Sequence, residues 1–178
     1  MKNKEIEAYM EFAQTVSKMS YATRLKVGAV IAKEGGDIVS YGYNGTPSGY
    51  DNNCEYKVAK KVTPIEVSVM GYNEYDTSYM VGEFELKTRP EVIHAELNCI
   101  IKAARAGKSC EGAWLFLTHM PCDGCVKHIV QSGIKMIVYK DVYASASHGN
   151  SNGKKMLEKA KIQLIQWNGS MTSSILQD

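Results

Sequence analysis

The 178-residue sequence lacks several features that mark whole classes of protein. No segment approaches the roughly 20 consecutive apolar residues that a membrane-spanning helix requires. The first ten residues, MKNKEIEAYM, contain no apolar stretch of the signal-peptide type, so we expect no secretion and a cytoplasmic location. The formal net charge of +2 is too small for the basic surface that polynucleotide-binding proteins present. We therefore expect a globular protein without a membrane or a polynucleotide among its partners.

Hydrophobic periodicity predicts a single domain, 1–178, in which strands and helices alternate. The N-terminal segment has apolar residues at helical spacing and predicts an amphipathic helix of about four turns. Two β-rich runs, 27–32 and 38–43, predict a hairpin. Beyond Pro90 the pattern predicts helices at 93–106, 122–131 and 153–161, and strands at 114–118, 135–139 and 162–167. This order indicates an α/β sandwich, with residues 51–89, which lack clean periodicity, as an insertion.

Two short motifs, His94-Ala95-Glu96 and Pro121-Cys122-Asp123-Gly124-Cys125, each lie at a predicted helix start. Histidine and cysteine are ligands suited to zinc, and the positive end of a helix favours thiolates. Three protein ligands leave a coordination position open, which is typical of catalytic zinc. Zinc of this kind lowers the pKa of bound water from about 15.7 toward about 7. The sequence therefore predicts a zinc site formed by His94, Cys122 and Cys125.

Glu96 is a carboxylate that this ligand set does not need. Hydrolysis at an aromatic amidine carbon requires a proton for the ring nitrogen and another for the departing amine, and one carboxylate can carry both. H-x-E followed by P-C-x-x-C is a known signature of zinc-dependent nucleobase deaminases. A redox dithiol and a zinc site closed by a fourth protein ligand remain as alternatives, although neither explains His94-Ala95-Glu96.

Five stretches resemble the cytidine and deoxycytidylate deaminase superfamily and, more narrowly, deoxycytidylate (dCMP) deaminases of the phage type. The HAE and PCxxC elements are common to the superfamily, whereas the GYNGTPSG loop together with HAELN narrows the resemblance. The stretches are Arg24-Leu25-Lys26-Val27-Gly28-Ala29-Val30-Ile31, Gly42-Tyr43-Asn44-Gly45-Thr46-Pro47-Ser48-Gly49, His94-Ala95-Glu96-Leu97-Asn98, Pro121-Cys122-Asp123-Gly124-Cys125 and Ile137-Val138-Tyr139.

The resemblance implies a three-layer α/β/α sandwich around a mixed sheet of about five strands. It implies a hydrolase acting on a cyclic amidine C–N bond, which converts dCMP to dUMP and ammonia and supplies thymidylate synthesis. It further implies a homo-oligomer, often hexameric, that dCTP activates and dTTP inhibits, located in the host cytoplasm if a phage encodes it. Three alternatives remain open: deamination of dCTP, deamination of adenosine in tRNA, and a non-catalytic nucleotide-binding regulator.

Carried over by position, His94, Cys122 and Cys125 resemble the zinc ligands, and Glu96 resembles the proton carrier. The substrate phosphate needs a cation, and Arg24 is the best candidate, with Lys26 and Lys140 weaker. Asn44, Thr46 and Tyr139 are further candidates for substrate contact. The candidates for an effector-nucleotide site are Lys26, Gly42, Tyr43 and Gly45. Ordinary interpretations remain: Arg24 as a surface ion-pair partner, Tyr139 as core, and the glycine-rich loop as a tight connection.

One departure from the family concerns a second metal. Some phage members bind a structural zinc through a histidine two positions before the catalytic one and a cysteine near the first helix. Those places hold Val92 and, approximately, Ser20 in this chain, and Cys54 resembles a remnant ligand. We therefore predict one zinc ion per subunit.

Overall fold

The computed structural model describes residues 1–59, 84–143 and 151–169, without the side chains of Ala59 and Ser151. Residues 60–83, most of the predicted insertion, lie outside the described residues. In chain order the elements are α1 Asn3–Ser17, β1 Gly28–Ala32, β2 Ile38–Tyr43, β3 Glu55–Ala59, β4 Phe84–Thr88, α2 Ala95–Arg105, β5 Trp114–His119, α3 Asp123–Gln131, β6 Met136–Asp141, α4 Ser151–Lys159 and β7 Gln163–Gln166.

A five-stranded mixed sheet forms the centre of the fold, with the strand order β2-β1-β5-β6-β7. β1 pairs antiparallel with both β2 and β5, whereas β5, β6 and β7 are parallel to one another. Parallel neighbours need a crossover connection, and α3 and α4 supply it between β5 and β6 and between β6 and β7. The predicted α/β architecture with about five strands is confirmed.

The sheet has a buried core on each face because alternate residues of a strand point to opposite sides. Ile31, Leu115 and Ile137 belong to the cluster beneath α2, α3 and α4. On the other face α1 contributes Ile6, Tyr9, Met10, Ala13 and Val16, the residues whose spacing predicted this helix, and packs them against strand residues such as Val30 and Phe116. Helices on both faces give the three-layer sandwich.

β3 and β4 form a separate antiparallel ribbon that the sequence pattern does not predict. Phe84-Glu85-Leu86-Lys87 alternates apolar and polar residues, but the described side chains of β4 are all exposed or half-buried, so this short alternation marks no buried face. In β3 the polar Glu55 is the buried position, with 7% of its surface exposed. The predicted insertion therefore contributes at least this two-stranded ribbon, and Glu55, the first residue of β3, has a buried side chain.

Several chain segments meet at one edge of the sheet. β5 ends at His119 and β6 at Asp141, and α2 and α3 begin close to that edge. Because β1 runs antiparallel to β5, its first residue lies there too: the Gly28 N–H donates to Thr118 Oγ1 over 3.1 Å. Ligands of open α/β sheets bind outside the carboxyl ends of the strands. This edge is therefore the place to look for a site.

Close contact between β2 and α2 helps to position this edge. A Cβ added at Gly42 would lie 2.6 Å from the backbone nitrogen of Cys99 and 2.7 Å from the carbonyl oxygen of Ala95. Only a residue without a side chain allows the strand and helix to approach this closely.

In the described part of the chain, no helix is both long and apolar enough to cross a lipid bilayer.

Candidate active site

His94 and Cys122 occupy equivalent places, each as the N-cap residue of a helix. Both have extended backbone geometry, with φ and ψ of −68° and 153° at His94 and −74° and 162° at Cys122. Their side chains leave the chain just before α2 and α3 begin, and Cys125 follows in the first turn of α3. Two helix N-termini, each carrying partial positive charge, therefore converge where the two thiols lie.

The three predicted ligand side chains lie together. His94 Nδ1 is 3.4 Å from Cys125 Sγ and 3.6 Å from Cys122 Sγ, and the three donor atoms lie within 4.8 Å of one another. Tetrahedral zinc, with bonds of about 2.3 Å to sulfur and about 2.0–2.1 Å to nitrogen, places such atoms about 3.6 Å apart. The spacing and the chemistry of these donors fit zinc. They form the one cluster of three or more histidine, cysteine or acidic ligands found among the described residues.

The electrostatics of the two thiols also suit a cation. Hydrogen bonds from the Cys125 thiol and from His94 lower the pKa of Cys122 to about 3. In Cys125 the effect is the opposite: the hydrogen bond with Cys122, together with burial, raises the pKa of the Cys125 thiol. A doubly charged ion between the two sulfur atoms removes this competition, since a coordinating thiol is deprotonated outright. The pair is therefore arranged to act as two thiolates around a metal.

Glu96 lies in the first turn of α2, directly beside this cluster. The residue is 1% exposed, and its Oε1 atom has no hydrogen-bond partner among the described residues. Burial raises the pKa of the carboxyl group. A buried carboxyl group with an unpaired oxygen costs stability unless something compensates for it. Its placement therefore indicates a role in chemistry rather than in folding.

A cavity of about 360 Å³ opens above His94 and Glu96. This volume lies at the small end of the range for small-molecule sites. Apolar side chains form part of the wall, and further polar lining residues come from the loops before β1 and after β2, from the β3–β4 ribbon and from the ends of β5 and β6. The polar set is Arg24, Asn44, Glu55, Thr88, His119 and Tyr143.

The sequence matches the family model for the zinc-binding region of cytidine and deoxycytidylate deaminases over residues 3–141. The chain belongs to this deaminase family. It is 38% identical over 149 residues to the deoxycytidylate deaminase of enterobacteria phage T4, an alignment that covers 75% of this chain and 76% of the phage protein. Identity to the human deoxycytidylate deaminase is 31% over 133 residues, covering 75% of this chain and 62% of the human one.

A solved structure shows the same fold. The dCMP deaminase of cyanophage S-TIM5, crystallised in complex with dCMP and dUMP, superimposes with a TM-score of 0.70 and 32% sequence identity. The superposition covers 94% of this chain and 99% of the cyanophage chain. Both the family and the fold that the sequence motifs predict for this deaminase are thereby confirmed.

Two of the four predicted substrate-contacting residues line the cavity of this deaminase. Arg24 lies at its mouth, exposed to solvent, and its Nη1 donates to Thr88 Oγ1 over 2.9 Å. Asn44 lines the cavity while bracing the loop before β1: its Oδ1 accepts from the Val27 N–H at 2.8 Å, and its Nδ2 donates to the Leu25 carbonyl at 2.9 Å. Part of the hydrogen-bonding capacity of Asn44 is therefore structural.

Thr46 and Tyr139, the other two, are not among the described residues that line the cavity. The Thr46 hydroxyl donates to the Asp51 carbonyl over 2.6 Å and closes its own loop. Tyr139 is 1% exposed and packs in the core beneath the helices, where burial raises the pKa of its phenol. Lys140, the weaker phosphate candidate, donates to Gln14 Oε1 of α1 on the opposite face of the sheet.

The predicted effector residues differ in what they contact. Lys26 is exposed. Gly42 is buried against α2, as described above, and Gly45 pairs with Ile93 through reciprocal backbone hydrogen bonds of 3.1 and 2.9 Å. The Tyr43 ring lies under Lys102 Nζ, 5.0 Å from the ring centroid. Gly42 therefore has a packing role that the sequence motif alone does not reveal.

Cys54, the predicted remnant of a second metal site, lies in a small apolar cluster. It is 1% exposed and packs with Ala22 and Val92, and burial raises the pKa of its thiol. Ser20 donates to the Asn44 carbonyl over 2.7 Å. The Cys54 thiol also donates to the Asn52 carbonyl over 3.7 Å, and it belongs to no cluster of three metal-binding side chains among the described residues.

Sequence reasoning missed four polar residues of the cavity wall: Glu55, Thr88, His119 and Tyr143. The His119 and Tyr143 rings stack with centroids 5.4 Å apart and planes inclined by 29°. Burial lowers the pKa of His119 and raises that of Tyr143, so both side chains are neutral near pH 7. A usable signal existed for these two, because each lies at or just beyond the end of a parallel strand.

Proposed function

We propose that the chain is a zinc-dependent deaminase that hydrolyses dCMP to dUMP and ammonia and thereby supplies thymidylate synthesis. The observation that carries this proposal is the buried carboxyl group of Glu96, whose Oε1 has no partner among the described residues, beside the cluster of His94, Cys122 and Cys125 at the base of a cavity with Arg24 at its mouth. The identity to phage T4 deoxycytidylate deaminase and the likeness to the cyanophage enzyme in complex with dCMP and dUMP support the choice of substrate.

In this mechanism His94, Cys122 and Cys125 would hold a zinc ion, which would supply a Lewis acid that lowers the pKa of water toward neutrality. Glu96 takes up the proton that the attacking water loses and delivers it to the ring nitrogen next to the amino-bearing carbon. The same carboxylate then accepts the proton of the hydroxyl group newly bonded to that carbon and passes it to the amino group, which leaves as ammonia while the carbonyl forms.

The walls of the cavity suit a pyrimidine monophosphate. Leu25, Val27 and Val142 offer apolar surface to a base or a deoxyribose. Among the described lining residues Arg24 is the one permanently cationic side chain, and its guanidinium can bind a phosphate through two hydrogen bonds. The further charge of a triphosphate would meet the carboxyl group of Glu55, which lies beside the Arg24 backbone, and this favours dCMP over dCTP.

The substrate assignment is tested by ammonia release from dCMP, dCTP, CMP and deoxycytidine in parallel, with zinc quantified in the same sample. We expect dCMP to be the best substrate and about one zinc per chain. Loss of a charge-assisted contact to the phosphate should leave deoxycytidine roughly 10- to 100-fold poorer in kcat/KM. Comparable turnover of deoxycytidine and dCMP would exclude phosphate recognition, and a zinc content near two would overturn the single-metal prediction.

We also propose, from the family resemblance, activation by dCTP, inhibition by dTTP and assembly into a homo-oligomer, with a hexamer as the expected state. Lys26, Tyr43 and Gly45 remain the candidate effector contacts. Adding dCTP and then dTTP to a dCMP assay tests the regulation, and a flat response to both would remove it. Light scattering on the purified protein measures the oligomeric state.

A further inference from the structure

Glu55 is a buried carboxylate that the proposed mechanism does not use. It is 7% exposed, at the start of β3, and it lines the cavity of about 360 Å³ together with Arg24. Its oxygens accept four hydrogen bonds from the loop before β1. The Thr23 N–H donates to both oxygens, at 3.1 Å to Oε1 and 3.2 Å to Oε2, while the Arg24 N–H donates to Oε1 at 3.2 Å and the Thr23 hydroxyl donates to Oε2 at 3.1 Å. The carboxylate therefore fixes the backbone at the residue that carries the guanidinium.

β4, which pairs with β3, contacts the guanidinium end of Arg24. Glu55 and Thr88 are directly paired across the antiparallel β3–β4 ribbon, so their side chains lie on the same face. The Thr88 hydroxyl accepts a hydrogen bond of 2.9 Å from Arg24 Nη1. One cross-strand pair thus contacts Arg24 at its backbone and at its guanidinium.

The remaining guanidinium N–H groups have no acceptor among the described residues, so they are open to an anion. An exposed arginine held at neither end would lose much rotamer freedom on binding a ligand, which weakens affinity. A side chain oriented beforehand avoids most of that loss.

We propose that Glu55, with Thr88 across the ribbon, is a positioning residue that orients Arg24 toward the anionic group of the substrate. This inference rests on the proposed function, since it takes Arg24 to bind the phosphate of dCMP. It assigns the β3–β4 ribbon a role in substrate affinity rather than in the chemical step.

Steady-state kinetics on the full-length zinc enzyme test the proposal through the variants Arg24→Gln, Glu55→Gln and their combination, with dCMP and deoxycytidine as substrates. We expect Arg24→Gln to raise KM for dCMP by about 10-fold or more and Glu55→Gln by about 3- to 10-fold. In both variants kcat for dCMP and kcat/KM for deoxycytidine should stay within about twofold of the wild type, because neither residue acts on the reacting atoms. In the Arg24→Gln background, Glu55→Gln should add almost nothing to KM, since its effect passes through Arg24.

Each alternative outcome is distinct. A purely structural role for Glu55 would lower the activity on both substrates equally, without a selective rise in KM for dCMP, and would refute the positioning role. Additive effects of the two substitutions would refute it as well. Wild-type enzyme that does not deaminate dCMP would instead remove the proposed function, and the inference with it.

Thr88→Val keeps the test decisive if Glu55→Gln fails to fold, because Thr88 is exposed and its loss leaves the buried carboxylate intact. It should raise KM for dCMP by about twofold or more while deoxycytidine turnover stays unchanged. Thr15→Val, which removes a hydroxyl from an exposed position on α1, is the matched control and should change neither. If Thr88→Val and Thr15→Val give the same KM for dCMP, the inference is wrong.

Discussion

Replacing Glu96 with glutamine removes the proton-carrying group and changes almost nothing else in shape. The side chain is 1% exposed, and its Oε1 has no partner among the described residues, so the substitution breaks no hydrogen bond at that oxygen. The three predicted zinc ligands are untouched. Loss of activity in Glu96→Gln would therefore report on proton transfer.

The expected loss follows from general acid–base catalysis. Positioned proton transfer contributes about 10²- to 10⁴-fold to a rate, or roughly 3–5 kcal/mol in the activation barrier. Because one carboxyl group serves both proton transfers, we expect kcat for dCMP to fall toward the larger value. The stability of the fold should not fall with the activity, because a neutral amide costs less free energy to bury than a carboxyl group that can ionise. The thermal midpoint should stay level or rise by about 2–4 °C.

Three measurements on one preparation check this prediction: dUMP formation followed by absorbance, zinc by metal analysis, and thermal unfolding. Glu7→Gln, at an exposed position on α1, is the matched control and should leave all three unchanged. If Glu96→Gln keeps more than about a tenth of wild-type turnover, Glu96 does not carry the protons. If the variant loses zinc and unfolds early, the carboxyl group supports the metal site instead.

Other expectations concern the thiols, the helix contact and the loop before β1. Removing zinc with a chelator should expose Cys122, whose pKa is lowered to about 3, to a maleimide at pH 8. Burial raises the pKa of Cys125 and that of Cys99, the latter to about 12, and keeps both thiols slow; mass spectrometry should count one new label per chain, and labelling of Cys99 at the rate of Cys122 would contradict the packing. Gly42→Ala should lower the free energy of unfolding by about 1–3 kcal/mol or more, because its Cβ would lie 2.6 Å from a backbone nitrogen, whereas Gly45→Ala, with open space around it, should leave the thermal midpoint unchanged. Asn44→Ala should cost about 1–3 kcal/mol through the unpaired Val27 N–H, and an unaltered urea midpoint would exclude this bracing role.

Much of the architecture could be read from local patterns. The apolar residues of α1 follow a 3.6-residue period and pack on the core as that period requires. The strands of the central sheet are short apolar runs bounded by turn residues. The β3–β4 ribbon escaped prediction because the described side chains of β4 are exposed or half-buried and its partner strand turns a glutamate inward. The alternation of apolar and polar residues in these two strands is short and corresponds to no buried hydrophobic face, so it is a weak signal.

Some residues of the candidate site could likewise be predicted from the sequence, and others could not. His94, Glu96, Cys122 and Cys125 carry chemistry that few other residue types can supply, and their spacing within each helix start is local. Tyr139 illustrates the opposite case, because a tyrosine at a strand end suits both a core and a site. Its alternating position places it in the core beneath the helices, where it is 1% exposed.

The family, the fold class and the metal-binding residue types follow from short-range spacing and from the identity of side chains, so the sequence was enough to predict them. Which polar residues share a cavity with Glu96 became known from the three-dimensional structure alone. Glu55, Thr88, His119 and Tyr143 reach it from four separate segments of the chain. Their proximity follows from the antiparallel pairing of β1 with β5 and from the ribbon that holds Arg24, and such long-range pairing leaves no mark in local sequence.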